Sequence, residues 1–151
     1  MNVQKIVENL KRKYETNNPF ELAKYLNIII LYEELGEIKG YYNKYARQKM
    51  IHLNNNLREE ELYFTCGHEL GHAIMHPNSN TPALRANTLY SINKLELEAN
   101  QFSVDLIVDD DIIKKYLEEY FYTVDNISTL LGIDKKIIEF KIKRMYKNKF
   151  H

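Results

Sequence analysis

The sequence predicts an α+β fold in which a small antiparallel sheet packs on a long histidine-bearing helix and a C-terminal helical hairpin closes the chain. Three observations carry that expectation. Short β-branched or aromatic runs fall between residues 28 and 54, and segments of helical period flank them on both sides. Between them, His68-Glu69-Leu70-Gly71-His72 sets two imidazoles four residues apart, a spacing that a helix stacks on one face. With 151 residues and 44% hydrophobic content, the chain is expected to form one domain, a core over about 1–110 followed by a helical subdomain over about 111–151.

The elements follow from local pattern. Val3, Ile6, Val7, Leu10 and Tyr14 recur at helical intervals and predict a first helix over 2–15. Asn18-Pro19-Phe20-Glu21 is a helix start, with Asn18 as cap, Pro19 in the first turn and Glu21 as a capping-box acid, and this helix ends near Leu26. Ile28 to Tyr32, 38–45 and 49–54 read as three strands, the last two joined by a short polar turn. Asn56 is expected to cap the long helix that runs to His76, where Pro77 stops it. Residues 77–92, polar and containing Pro77 and Pro82, read as a loop beside the histidines. A helix over 93–107 follows, then one capped by Asp109-Asp110-Asp111. In the final hairpin Asp125 opens one helix, Gly132 breaks it and Asp134 caps the last.

Composition excludes some functions. Lys plus Arg equals Asp plus Glu at 21 each, so no global field drives binding to nucleic acid or to a membrane surface. The single cysteine, Cys66, forbids an internal disulfide, suits a reducing cytoplasm and is expected to be a buried core thiol. Residues 1–15 lack the pattern of a secretory signal, and Leu26 to Tyr32 is too short to span a bilayer. Twelve tyrosines, six phenylalanines and no tryptophan indicate packing rather than a particular chemistry.

The histidine pair is where the chemistry concentrates. His68 and His72 on one helical face can share a zinc ion, with Glu69 one step round to handle a water in an open coordination position. Gly71 and Ala73 are small enough for a neighbouring element to approach. A third protein ligand is required, and Leu95-Glu96-Leu97-Glu98-Ala99-Asn100-Gln101-Phe102 on the next helix is the source. Glu96, Ala99 and Asn100 share a face, which suits Glu96 as the ligand with Asn100 behind it, accepting the spare ring N–H of a ligand histidine. Glu98, on the face of Leu95 and Phe102, is the rival. His76 lies two turns, about 11–12 Å, from His68, too far to complete the same site; a supporting, capping or surface role is left to it. His52 and His151 have no assigned role.

Together these residues resemble the ImmA/IrrE family of small zinc metallopeptidases found on phages and integrative elements. The resemblance spans about residues 15–110. It is carried by Asn18-Pro19-Phe20-Glu21, Lys39-Gly40-Tyr41-Tyr42, Phe64, the run from His68 to Pro77 and the run from Glu96 to Phe102. It implies a gluzincin-like fold and a helix-turn-helix transcriptional repressor as protein substrate. Thermolysin-like gluzincins carry Asp four residues after the ligand Glu; here that position is Asn100, so a neutral group backs the histidine. The expected reaction is peptide hydrolysis by zinc-activated water with Glu69 as general base. The oxyanion needs a donor besides zinc; Tyr90 is one candidate and Tyr41 and Tyr42 are others, with ordinary packing the preferred account of each. Substrate would add as a strand along an edge of the 38–54 hairpin. The alternative is a non-catalytic regulator that binds a repressor or DNA. The tail offers Lys135, Lys136, Lys141, Lys143, Arg144, Lys147 and Lys149 as a basic face, expected to be solvated, over a stripe of Ile137, Ile138, Ile142 and Met145.

Overall fold

The computed structural model describes residues 1–79 and 94–147. The end of the expected loop over 77–92, together with Tyr90 and His151, therefore lies outside the described residues. Among those described are helices α1 (Val3–Tyr14), α2 (Pro19–Tyr25), α3 (Glu59–Met75), α4 (Lys94–Ile107), α5 (Asp110–Glu118), α6 (Val124–Leu131) and α7 (Lys135–Lys147). A three-stranded sheet of β1 (Ile29–Glu33), β2 (Gly40–Tyr45) and β3 (Gln48–Asn54) sits between α2 and α3 in the chain.

The sheet is mixed rather than antiparallel. Its order is β1-β3-β2, with β3 parallel to β1 and antiparallel to β2. The connection over 34–39 carries β2 past the neighbouring position, and the tight Ala46-Arg47 turn then returns β3 into the gap. The most deeply buried strand, β3, thereby gains partners on both sides. Ile30, Tyr42, Ile51 and Leu53 face the principal core, with Val7, Leu22, Cys66, Leu70 and Phe102. Cys66 is fully buried there, as expected, and burial pushes its thiol pKa up.

Helix boundaries follow local chemistry. Asn18 Oδ1 accepts from Phe20 N at 2.9 Å and from Glu21 N at 3.3 Å, capping α2 as its sequence requires. Asn56 does not cap α3. Asn54 Oδ1 accepts the Asn56 N–H at 3.2 Å, holding residues 54–56 in a turn, and the helix starts after Arg58 without a side-chain cap. Glu59, Glu60 and Glu61 in the first turn offset the missing cap by opposing the helix dipole. Asp109 sits at the cap position of α5 but makes no capping hydrogen bond; its carboxylate instead meets Lys11 Nζ at 2.9 Å. Thr123, not Asp125, begins α6, in a reciprocal capping box with Asn126. Gly132 ends that helix at φ 65°, and Asp134 Oδ1 accepts from Lys136 N at 2.8 Å.

Two apolar clusters meet along α4. Phe102 and Leu106 belong to the principal core, Val104 and Val108 to a second one with Ile113, Ile127, Ile133 and Ile138, and Ile107 packs against both. The α3–α4 contact is close because two positions lack a side chain. A Cβ on Gly71 would lie 3.1 Å from Phe102 Cβ, and one on Gly67 would collide with the Ser103 hydroxyl, which donates to Phe64 O at 2.8 Å. Gly71 thus does what its size suggested and Gly67 joins it, while Ala73 is buried in the principal core.

The C-terminal basic face is only partly solvated. Arg144 grips Asp105 of α4 with two bonds of 2.8 and 3.0 Å, and Lys141, 3% exposed, contacts Asp105 at 3.3 Å and Asp110 at 3.0 Å. Ile138 shares the buried side with Lys141, so the expected apolar stripe carries an inward cation within it. No helix of the described residues is long and apolar enough to cross a membrane.

Candidate metal centre

Every residue of α3 from Thr65 to Ala73 is buried, so the histidine pair lies within the protein rather than on a surface helix. The side chains of His72 and Glu69 are fully enclosed, and His68 is 7% exposed. The donor atoms of His68, Glu69 and His72 lie within 4.8 Å of one another. Helix α4 runs antiparallel alongside, pairing Ser103 with Phe64 and Asn100 with His68.

This packing delivers Glu96 to both rings. Its Oε2 lies 2.8 Å from His68 Nε2, and its Oε1 lies 3.1 Å from His72 Nε2. Glu98 takes a different histidine: its Oε1 is 3.1 Å from His76 Nε2. Asn100 Oδ1 accepts from His68 Nδ1 at 2.7 Å. His76 is 7% exposed, and its Nδ1 lies 3.0 Å from His72 Nδ1. It is not a surface residue, and the sequence left its pairing with Glu98 unseen.

Burial acts to raise the Glu96 carboxyl pKa, but the hydrogen bonds from His68 and His72 outweigh it and hold the group well below the usual carboxylate range. Burial depresses His76, against the opposing pull of its bond to Glu98.

The hydrogens these contacts require test whether a cation fits. His68 Nδ1–H donates to Asn100, while His68 Nε2 faces Glu96 Oε2, an acceptor. His76 Nε2–H donates to Glu98, so in a neutral ring His76 Nδ1 accepts from His72 Nδ1, and His72 Nε2 again faces Glu96. Satisfied by protons alone, each Nε2 needs one hydrogen beyond what neutral imidazole carries, a doubly positive load around one carboxylate. A divalent cation held by the two Nε2 lone pairs and Glu96 would take the place of both hydrogens and leave the other bonds as they are. Ligand bonds of about 2 Å would set neighbouring donor atoms roughly 3.3 Å apart, about half an ångström or less from the contacts observed. The donor set fits a divalent ion, and two imidazoles with a carboxylate suit zinc.

Both sheet tyrosines make packing contacts of their own. Tyr42 is buried, its hydroxyl donates to Pro77 O at 2.7 Å, and burial raises its pKa. Tyr41, on the opposite sheet face, stacks on His52 at a centroid distance of 4.1 Å. His52 in turn bonds Glu33 and Asn43, a polar cross-strand cluster. Three further bonds secure the C-terminal end of α3: Tyr42 to Pro77, Lys49 Nζ to Ala73 O at 2.8 Å, and Lys44 Nζ to Asn78 Oδ1 at 2.8 Å. Cations beside these last carbonyls also complement the helix dipole.

A buried two-histidine, one-carboxylate cluster with a second carboxylate beside it has the chemistry of a hydrolytic metal centre. Comparison with known proteins gives that class a family. A model of the peptidase M78 family, described as the IrrE N-terminal-like domain, matches residues 23–143. A Bacillus phage phi105 protein described as "uncharacterized immunity region protein 2" is 40% identical over 147 residues, covering 97% of this chain and 92% of that protein. The metallopeptidase ImmA of Bacillus subtilis strain 168 is 27% identical over 142 residues, covering 92% of this chain and 83% of its own length. The chain belongs to the ImmA/IrrE, or M78, family of metallopeptidase-like proteins.

Proposed function

We propose that this protein is a zinc-dependent endopeptidase whose metal is held by His68, His72 and Glu96. The observation that carries the reading is the placement of Glu96, whose two oxygens reach the Nε2 atoms of both histidines. Zinc, when bound, supplies Lewis acidity: it makes a water acidic near neutral pH and polarises a peptide carbonyl. Glu69, fully buried and next to the pair, takes the proton of the attacking water and delivers it to the leaving amine. Asn100 holds the His68 ring by its Nδ1–H, keeping Nε2 directed at the cluster. Strand β2 borders the sheet, and an extended substrate adds beside it through main-chain hydrogen bonds.

The substrate is a helix-turn-helix repressor of a mobile element or phage. The description of the phi105 relative as an immunity region protein supports this, because lysogenic immunity depends on repression. A buried general base beside the histidines favours catalysis over simple sequestration, which has no need of one.

The test is co-expression with a helix-turn-helix phage repressor as candidate substrate, reading fragments by mass spectrometry with and without chelator. The wild type should yield one discrete cut that chelator prevents. Glu69→Gln should retain zinc and lose cleavage by at least about 10²-fold, the scale of general-base catalysis. Normal cleavage by that variant would remove Glu69 from the base role, and absence of cleavage by the wild type would remove the repressor as substrate.

A further inference from the structure

We propose that Glu98 and His76 form a positioning relay that fixes the tautomer of His72 and thereby sets how tightly the centre holds its metal. The proposal rests on the metal-centre reading above. His72 can offer Nε2 to a cation only if its ring hydrogen sits on Nδ1. That Nδ1–H is completely buried, and without an acceptor it would be an unsatisfied donor, which is costly in an interior. The acceptor is His76 Nδ1 at 3.0 Å. His76 accepts there only when its own hydrogen is on Nε2, and Glu98 Oε1, 3.1 Å away, holds it there. Glu98 therefore orients His76, and His76 orients His72.

The two ligand rings are backed differently. His68 is held by the neutral amide of Asn100, whereas His72 is held by a carboxylate acting through one intervening imidazole. The relay also has a rigid seat. His76 occupies the C-cap of α3, its backbone N–H donates to His72 O at 2.8 Å, and Tyr42 anchors the adjacent Pro77 carbonyl. Neither His76 nor Glu98 touches the reacting atoms; both are positioning residues.

Outer partners of this kind typically contribute about 10–100-fold to metal affinity. The experiment measures zinc dissociation constants by chelator competition for the full chain and three variants, with the thermal midpoint of each metal-free protein as a control for folding. His76→Phe keeps an aromatic ring but removes the acceptor, and should bind zinc about 10–100-fold more weakly. His76→Asn restores an oxygen near the position of Nδ1 and should recover most of that loss. Glu98→Gln should weaken binding less than His76→Phe. In the zinc-loaded wild type, ¹⁵N NMR should find hydrogen on His72 Nδ1 and His76 Nε2, with a ¹⁵N–¹⁵N coupling across the His72–His76 bond. A purely structural His76 would lower the midpoints without rescue by Asn and without that coupling.

Zinc binding by His76→Phe as tight as wild type, equal losses in the Phe and Asn variants, or a His72 ring unprotonated at Nδ1 would each overturn the relay. The NMR result needs no substitution, so a variant that fails to fold does not protect the idea. A wild type that binds no zinc, or Glu96→Ala that binds it normally, would instead overturn the metal-centre reading.

Discussion

Glu96 and Glu98 are two residues apart on one helix, yet they meet different histidines on its neighbour. The division is one of direction around α4 rather than of level along it: two positions apart, the two carboxylates leave the helix about 200° from each other, and Glu96 meets His68 and His72 while Glu98 meets His76. We therefore expect unequal consequences. After dialysis, Glu96→Ala should retain almost no zinc by metal analysis, whereas Glu98→Ala, lacking only indirect support, should retain a substantial fraction. The reverse order would transfer the ligand to Glu98. At this scale the sequence was informative where spacing alone dictates direction. Four-residue separation brought His68 towards His72, and the Glu96–Asn100 spacing predicted an amide behind a ring. It could not show which residue met His76, because that depends on the offset between two helices rather than on either helix alone.

Helix starts and stops were readable where one side chain decides them, as at Asn18, Gly132 and Asp134. They were misread where competing turns exist, as at Asn56. The parallel β1–β3 pairing was invisible, since strand order is set by which connection returns to the gap and not by the pattern within a strand. The β2–β3 hairpin carries an unusual turn. Ala46 at φ 50° and Arg47 at φ 69° are both left-handed, the geometry of a type I′ turn that prefers an asparagine followed by a glycine. Left-handed backbone costs an ordinary residue about 1–2 kcal/mol. The double substitution Ala46→Asn with Arg47→Gly should therefore stabilise the protein by about 1 kcal/mol after glycine's extra entropy. Both side chains are exposed, so no packing is lost. Denaturant unfolding checks this, and an unchanged or lower midpoint would mean that the turn is not strained.

Across the whole molecule, α4 is the shared wall. It supplies Glu96, Glu98 and Asn100 to the centre, and its later turns hold both apolar clusters and Asp105. The Asp105–Lys141–Arg144 network ties the C-terminal helix to that wall. A sequence rich in lysine naturally reads as solvated, and only the tertiary fold reveals that two of those cations turn inward. Asp105→Ala leaves Lys141 buried with only the peripheral Asp110 as counter-charge, and should cost about 3 kcal/mol, seen as a lower thermal midpoint. A loss below about 0.5 kcal/mol would assign the network to the exposed-pair class. Because α4 serves both ends, this variant should also bind zinc somewhat more weakly.

The most direct measurement is a crystal structure of the zinc-loaded protein with anomalous data at the zinc edge. One ion per chain is expected, bonded to His68 Nε2, His72 Nε2 and the Glu96 carboxylate, with Glu98 still on His76. An ion held by Glu98 and His76, or no ordered ion between His68 and His72, would contradict the account.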